Sequence, residues 1–106
     1  MQPPAAIIGF NRSGEDLTVY ISGDLDVATA PGFSDEISRQ TQPGDTVWLE
    51  LSGVTFCASA GISLIVRAER EARARDGQMV VFHPSRSVLN ILDQCNLTGH
   101  LTIRAA

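Results

Sequence analysis

Thr46-Val47-Trp48-Leu49-Glu50-Leu51-Ser52-Gly53-Val54-Thr55-Phe56-Cys57-Ala58-Ser59-Ala60-Gly61-Ile62 decides how the rest of the chain is read. Val47, Leu49 and Leu51 alternate with polar or amphipathic neighbours, which is the period of a strand with one buried face. Ser52-Gly53 breaks the run and Val54 to Cys57 resumes it. From about Ser59 to Arg75 the period becomes helical. Gly61, Ile65, Ala68 and Ala72 form one stripe, with Leu64 beside it. Glu69 with Arg73 and Glu71 with Arg75 stand in the favourable i,i+4 order, and Asp76-Gly77 stops the helix. A strand running straight into a helix predicts a crossover to a further, parallel strand.

The flanking segments repeat this alternation. Upstream, Ala6 to Phe10 is an apolar run, Asn11 to Asp16 a polar turn, and Leu17 to Ser22 a second strand with Leu17, Val19 and Ile21 on one face. These two runs predict a hairpin. Gly23 to Ala28 reads as a connection. Thr29-Ala30-Pro31 reads as a helix start, with a hydroxyl cap and a proline in the first turn. Phe33 and Ile37 stack one turn apart. Asp35 and Glu36 are expected early in that helix, where its dipole favours carboxylates, and Pro43-Gly44 ends the element. Downstream, Met79 to Phe82 is a continuous apolar run, expected to be covered on both faces. Ser85 caps a helix whose buried stripe is Val88, Ile91, Leu92 and Cys95. Leu101 and Ile103 make a last short strand, and Met1 to Ala5 is a loose end. The expected fold is one α/β domain over 1–106: a mixed, mainly parallel sheet covered by helices, in the order ββαβαβαβ.

Composition narrows the function classes. The chain has 106 residues, 43% hydrophobic and 19% charged, which suits one globular domain. The net charge of -4 disfavours a nucleic-acid backbone and favours a basic protein surface. Two cysteines make no disulfide framework. With no secretory leader and no apolar run near the roughly 18 residues of a membrane helix, the expectation is a cytoplasmic protein without direct membrane insertion.

Three stretches together resemble the STAS family. Gly23-Asp24-Leu25-Asp26-Val27-Ala28-Thr29-Ala30-Pro31 is close to its G-E-L-D-x-x-T-A-P. Leu49 to Phe56 is close to its D-L-S-x-V-x-F strand. Cys57-Ala58-Ser59-Ala60-Gly61-Ile62 stands where the family has x-D-S-[ST]-G-L. The resemblance implies an anti-sigma factor antagonist, a binding protein and not an enzyme, with no cofactor. Its partner would be an anti-sigma factor that is also a serine-protein kinase. Binding frees a sigma factor for transcription, and phosphorylation just before the helix-start glycine then dissociates the complex. The interface implied is Asp24, Asp26, Thr29, Ser59, Ala60, Gly61 and Ile62. A phosphate adds about -1.5 to -2 charges, and free backbone N–H groups at a helix start can hold it. Here the family's aspartate falls on Ala58 and its phospho-acceptor on Ala60, so binding is expected without the usual phosphorylation control. Ser59 keeps a hydroxyl, turned by roughly 100° on the helix. The resemblance leaves room for a homodimer. It also covers a rival reading, an accessory subunit of a membrane transport ATPase, which likewise dispenses with the phosphorylatable residue.

Other chemistry has less behind it. Cys57, just before a helix start, is a candidate redox residue; the plain alternative is that Cys57 and Cys95 are both buried thiols. Asp24 and Asp26 read either as a capping pair or as partner contacts. Cys57, His83, Cys95 and His100 lack metal-site spacing, so no metal is expected. Ser59 with Gly61 resembles a nucleophile elbow, but Cys57 stands where that motif needs glycine. Arg67, Arg70, Arg73 and Arg75, interleaved with Glu69, Glu71 and Asp76, read as a solvated salt-bridged face that can also dock a partner.

Overall fold

A computed structural model describes residues 6–105. The loose end expected for Met1 to Ala5 lies outside them. Strands β1 (Ala6–Ser13) and β2 (Asp16–Leu25) form a hairpin, followed by helix α1 (Ala30–Gln40) and strand β3 (Thr46–Cys57). Helix α2 (Ser59–Ala74), strand β4 (Gln78–Phe82), helix α3 (Arg86–Gln94) and strand β5 (Ile103–Arg104) complete the chain. The sheet order is β1-β2-β3-β4-β5, antiparallel only between β1 and β2. This is the expected mixed, mainly parallel α/β architecture.

The period-two residues meet the helices on one face. Leu17, Val19 and Ile21 of β2, Val47, Leu49 and Leu51 of β3, and Met79 and Val81 of β4 join Ile37, Leu64, Ile65, Val88 and Leu92 in one cluster. The opposite face carries Thr18, Tyr20, Trp48, Glu50 and Phe82, and no helix packs there among the described residues. The expectation that β4 is covered on both faces holds, since Met79, Val80 and Val81 are all buried, with helices on one side and the sheet's own aromatics on the other.

Several boundaries also move. The Asn11 to Asp16 turn shrinks to Gly14-Glu15, because Asn11, Arg12 and Ser13 pair with Thr18, Leu17 and Asp16. Gly23 to Leu25 belong to β2 and not to a connection, because Gly23 and Leu25 pair with Val54 and Cys57. The break at Ser52-Gly53 is a bulge inside one strand: Tyr20 pairs with Glu50, but Ser22 pairs with Gly53. A second shift lies between Gly23 and Asp24. Each bulge adds a residue to β3 and flips its alternation, which keeps Val54 and Cys57 facing the core. Glycine at 53 permits this, since a Cβ there would lie 2.7 Å from that of Ser22.

Charged contacts differ from the sequence pattern as well. Asp35 and Glu36 fall after the first turn of α1; they pair with Arg67 and Arg39 instead of the helix dipole. Glu69 does pair with Arg73. Glu71 turns the other way, to Arg67 at 2.9 Å. Arg75 donates to the carbonyls of Ser38 and Thr41 at the end of α1, at 2.9 and 2.8 Å.

The end of the domain away from the β3–α2 junction is tied by Asp45. It is only 1% exposed. Both of its oxygens accept from Arg12, at 2.9 and 2.8 Å, and one also accepts from the Gln42 N–H. The Asp45 carbonyl accepts from Gln78 N–H and leaves no room above Gly77, where a Cβ would lie 2.1 Å away. The hydrogen bonds from Arg12 hold the Asp45 carboxyl below the usual range. Burial pushes it up, and the Gln42 N–H and the Arg12 charge draw it further down.

A group with a depressed folded-state pKa stabilises fully above the ordinary aspartate value of about 3.9 and loses that contribution as pH falls through the folded value. Asp45→Ala is expected to cost about 2 kcal/mol at neutral pH, because it removes three charge-assisted hydrogen bonds, although Arg12, partly exposed, keeps the carbonyls of Gly14 and Gln40. Urea unfolding of both proteins should show that deficit shrinking steadily below pH 4.

Candidate functional site

The β3–α2 junction is built by close approach. After Cys57 the chain passes through Ala58 in extended conformation, φ -93° and ψ 179°, and enters α2 at Ser59. The Ala58 N–H donates to the Leu25 carbonyl at 2.9 Å, tying the junction to the end of β2. Gly61 lies directly over these strand ends. A Cβ there would meet the Cys57 sulfur at 2.6 Å and the Leu25 Cβ at 3.1 Å. Gly61 and Ile62 are buried, whereas Ser59 is exposed. The Ser59 carbonyl accepts the Ser63 hydroxyl at 3.3 Å. Ala60 lines a groove between α1 and α2 with Pro31, Ser34, Asp35, Ser63 and Arg67. Ile62 borders a smaller hollow beside Val66 and Arg70.

The loop from β2 to α1 holds Asp24, Asp26 and Thr29 in a local knot. One Asp26 carboxylate oxygen accepts from the N–H groups of Ala28 and Thr29, at 2.9 and 3.2 Å. The Thr29 hydroxyl donates to the Asp24 carbonyl at 2.6 Å and accepts from Asp26 N–H at 3.1 Å. Thr29 is thus the N-cap residue of α1 by position, but its hydroxyl does not cap the helix; it closes the loop behind it. The Asp24 carboxylate accepts the Thr55 hydroxyl at 3.1 Å, and Ser87 donates to the Thr55 carbonyl at 2.9 Å. This knot leaves Val27 at the loop tip, 80% exposed, and Phe56 is 53% exposed at the end of β3. Both lie inside the motif stretches, yet neither was singled out from sequence. The available signal for Val27 was an apolar residue directly after Asp26 in the segment between a strand and a helix.

Arg67 links the two helices beside Ala60. It donates to Asp35 at 2.7 Å, to Glu71 at 2.9 Å and to the Ser34 hydroxyl at 3.3 Å. Burial pushes the Glu71 carboxyl up. The hydrogen bonds from Arg67 and Ser38 and the charges of Arg67 and Arg75 outweigh that, leaving it below its usual range. The groove therefore presents a fixed guanidinium, two hydroxyls and small side chains.

The cysteines divide. Cys57 is buried, and burial, then the nearby Cys95, pushes its thiol up. Cys95, expected on the buried stripe of α3, is exposed at the helix C-cap. The helix ends at Gln94, so residue 95 falls off the face shared by Val88 and Leu92. His83 faces Glu50 at 3.3 Å on the helix-free side of the sheet.

Comparison with known proteins points one way. A sequence model of the STAS domain matches residues 9–106. An anti-sigma-B factor antagonist of Listeria monocytogenes is 22% identical over 94 residues, covering 88% of this chain and 82% of that protein. Its Listeria innocua counterpart matches equally. Among solved structures, an anti-sigma factor antagonist from Mycobacterium paratuberculosis superposes with a TM-score of 0.82 at 17% identity, covering 100% of this chain and 92% of that one. The anti-sigma factor antagonist SpoIIAA in its unphosphorylated form gives 0.76 at 18% identity, over 92% and 88%. At these identities the structural likeness establishes the fold.

Two expectations follow from the junction. No side chain caps α2, so Ala58→Asp should raise unfolding stability by about 1 kcal/mol in urea titrations, by satisfying first-turn N–H groups. A maleimide reagent applied to the folded protein should label Cys95 readily, with Cys57 reacting only after denaturant is added.

Proposed function

This chain belongs to the STAS-domain family, and we propose that within it the chain works as an anti-sigma factor antagonist, binding an anti-sigma factor of the serine-kinase type and releasing a sigma factor to transcription. The observation that supports this best is the meeting of the two motif stretches. The Ala58–Leu25 hydrogen bond brings the loop of Asp24, Asp26 and Thr29 to the first turn of α2, so sequence-distant residues offer one continuous surface. The relatives and the solved structures cited above bear antagonist names, and they lend the transport-subunit reading no support.

The surface has the chemistry of a docking site. Ser59, Ala60 and the rim of Ile62 supply the helix side, and the exposed Val27 supplies an apolar anchor on the loop side. Asp24 and Asp26 act through the loop they hold, and Gly61 acts by letting α2 approach. A net charge of -4 favours a basic partner surface. The protein binds and does not turn over a substrate, and it does so in the cytoplasm, where sigma factors meet their inhibitors.

Its control differs from the family switch. The methyl of Ala60 has no oxygen to accept a phosphoryl group. Ser59 presents its hydroxyl roughly 100° around the helix from that position, away from a kinase site shaped for residue 60. Binding is therefore constitutive.

Affinity capture from the native lysate tests both parts. The wild type should retain a kinase-like ATPase, and Val27→Asp, at a residue that is 80% exposed, should lose it while melting normally. Incubation of the captured complex with ATP should leave the wild type unphosphorylated and add one phosphate to Ala60→Ser. Capture of a membrane transporter complex instead would overturn the antagonist reading, and a phosphopeptide containing Ser59 would overturn the constitutive one.

A further inference from the structure

The helix-free face of the sheet carries a trough of about 530 Å³ lined by Asp16, Thr18, Tyr20, Trp48, Glu50, Phe82, His83 and Arg104. Its floor is a continuous aromatic stack. Trp48 meets Phe82 edge to face with centroids 5.7 Å apart, and Phe82 stacks on His83 at 4.2 Å. The stack is held in place. The Trp48 indole N–H donates to Asp16 at 3.0 Å, and the His83 Nδ1 lies 3.3 Å from a Glu50 carboxylate oxygen. The strand register sets Glu50 directly between Tyr20 and Phe82. Tyr20 is 49% exposed despite its size.

We propose that this trough is a second binding site, separate from the α2 turn, which takes the guanidinium of an arginine carried on an extended basic segment of a partner protein. Aromatic faces flanked by carboxylates suit a cation: the rings attract it through their quadrupoles, and Asp16 and Glu50 supply opposite charge. Glu50 is prepared for the role. Burial pushes its carboxyl up, but hydrogen bonds from the Ser52 N–H and hydroxyl, both at 2.8 Å, and from His83 keep it below its usual range and ionised.

An extended segment fits better than a small metabolite because the trough does not end at Tyr20. Tyr20 and Glu50 also line a second hollow of about 300 Å³ that runs over Ile7, Gly9 and Ser22, where Ile7 is 58% exposed. The surface thus crosses from β5 to β1, with apolar ground beyond the carboxylates. Arg104 stands across Phe82 from Glu50 and disfavours a cation on the β5 side, so the guanidinium belongs over the rings on the β2–β3 side, between Asp16 and Glu50. The acidic chain adds a general attraction.

Trp48 is the only tryptophan of the chain, so its fluorescence reports on the site. The probe is acetyl-Ala-Arg-Ala-Arg-Ala-amide, against the same peptide with citrulline, a neutral isostere, in place of arginine. The arginine peptide should change Trp48 emission saturably, with the citrulline peptide about tenfold weaker. Asp16→Asn and Glu50→Gln should each weaken the arginine peptide about fivefold with unchanged thermal unfolding, and Arg104→Ala should tighten it. No saturable change, an equal response to citrulline, or indifference to both carboxylate variants would overturn the cation site. Arginine amide binding as tightly as the peptide would overturn the extended segment. These outcomes are independent of capture by the α2 surface, which Val27→Asp reports.

Discussion

The contact of Gly61 with the Cys57 sulfur and the Leu25 side chain governs how the functional end of this domain is put together. Only a residue without a Cβ lets α2 settle so close to the ends of β2 and β3. From that contact follow the burial of Ile62, the exposure of Ser59 and the position of Ala60 over the α1–α2 groove. The same contact brings the Asp24–Thr29 loop beside the helix start. A bulkier residue at 61 would lift the helix off the strand ends and separate the two halves of the surface.

The opposite end is secured by different means. There Asp45, Arg12, Gly77 and Arg75 tie the hairpin, the end of α1, the start of β3 and the end of α2 through charged and backbone hydrogen bonds. The aliphatic core lies between the two ends, with no described buried side-chain polar atom left without a partner. The β3–α2 end has polar fastening of its own, the Asp24–Thr29 knot and the Arg67 contacts, set beside small or exposed apolar groups such as Ala60 and Val27. The Ala60 methyl takes no part in these polar contacts, while Ala58 leaves the first turn of α2 without a side-chain cap.

Much of the architecture was legible because it rests on local periodicity. Leu17, Val19 and Ile21 and the stripe Gly61, Leu64, Ile65, Ala68 and Ala72 are buried as their spacing implies. The misreadings arose where two elements compete for one side chain. Glu71 stands i,i+4 from Arg75, but Arg75 is taken by the carbonyls ending α1, and Glu71 turns to Arg67. Thr29 has the residue type of a cap, but the Asp24 carbonyl lies within its reach. Cys95 continues a helical stripe on paper, yet the helix stops at Gln94 and exposes it.

What the sequence determined by itself is the order of elements, the core faces and the stretches that carry the family likeness, because alternation and turn residues act over a few neighbours. It also determined that residue 60 cannot carry a phosphate, since that depends on side-chain chemistry alone. Tertiary structure decided which stretches meet, that the bulges in β3 keep Val54 and Cys57 inward, and that among the described residues one face of the sheet stays free of helices. Those outcomes depend on distances between residues far apart in the chain: a Cβ that would not fit at 61, an N–H within reach of Leu25, and Trp48 within reach of Asp16. Spacing along the chain does not encode such distances.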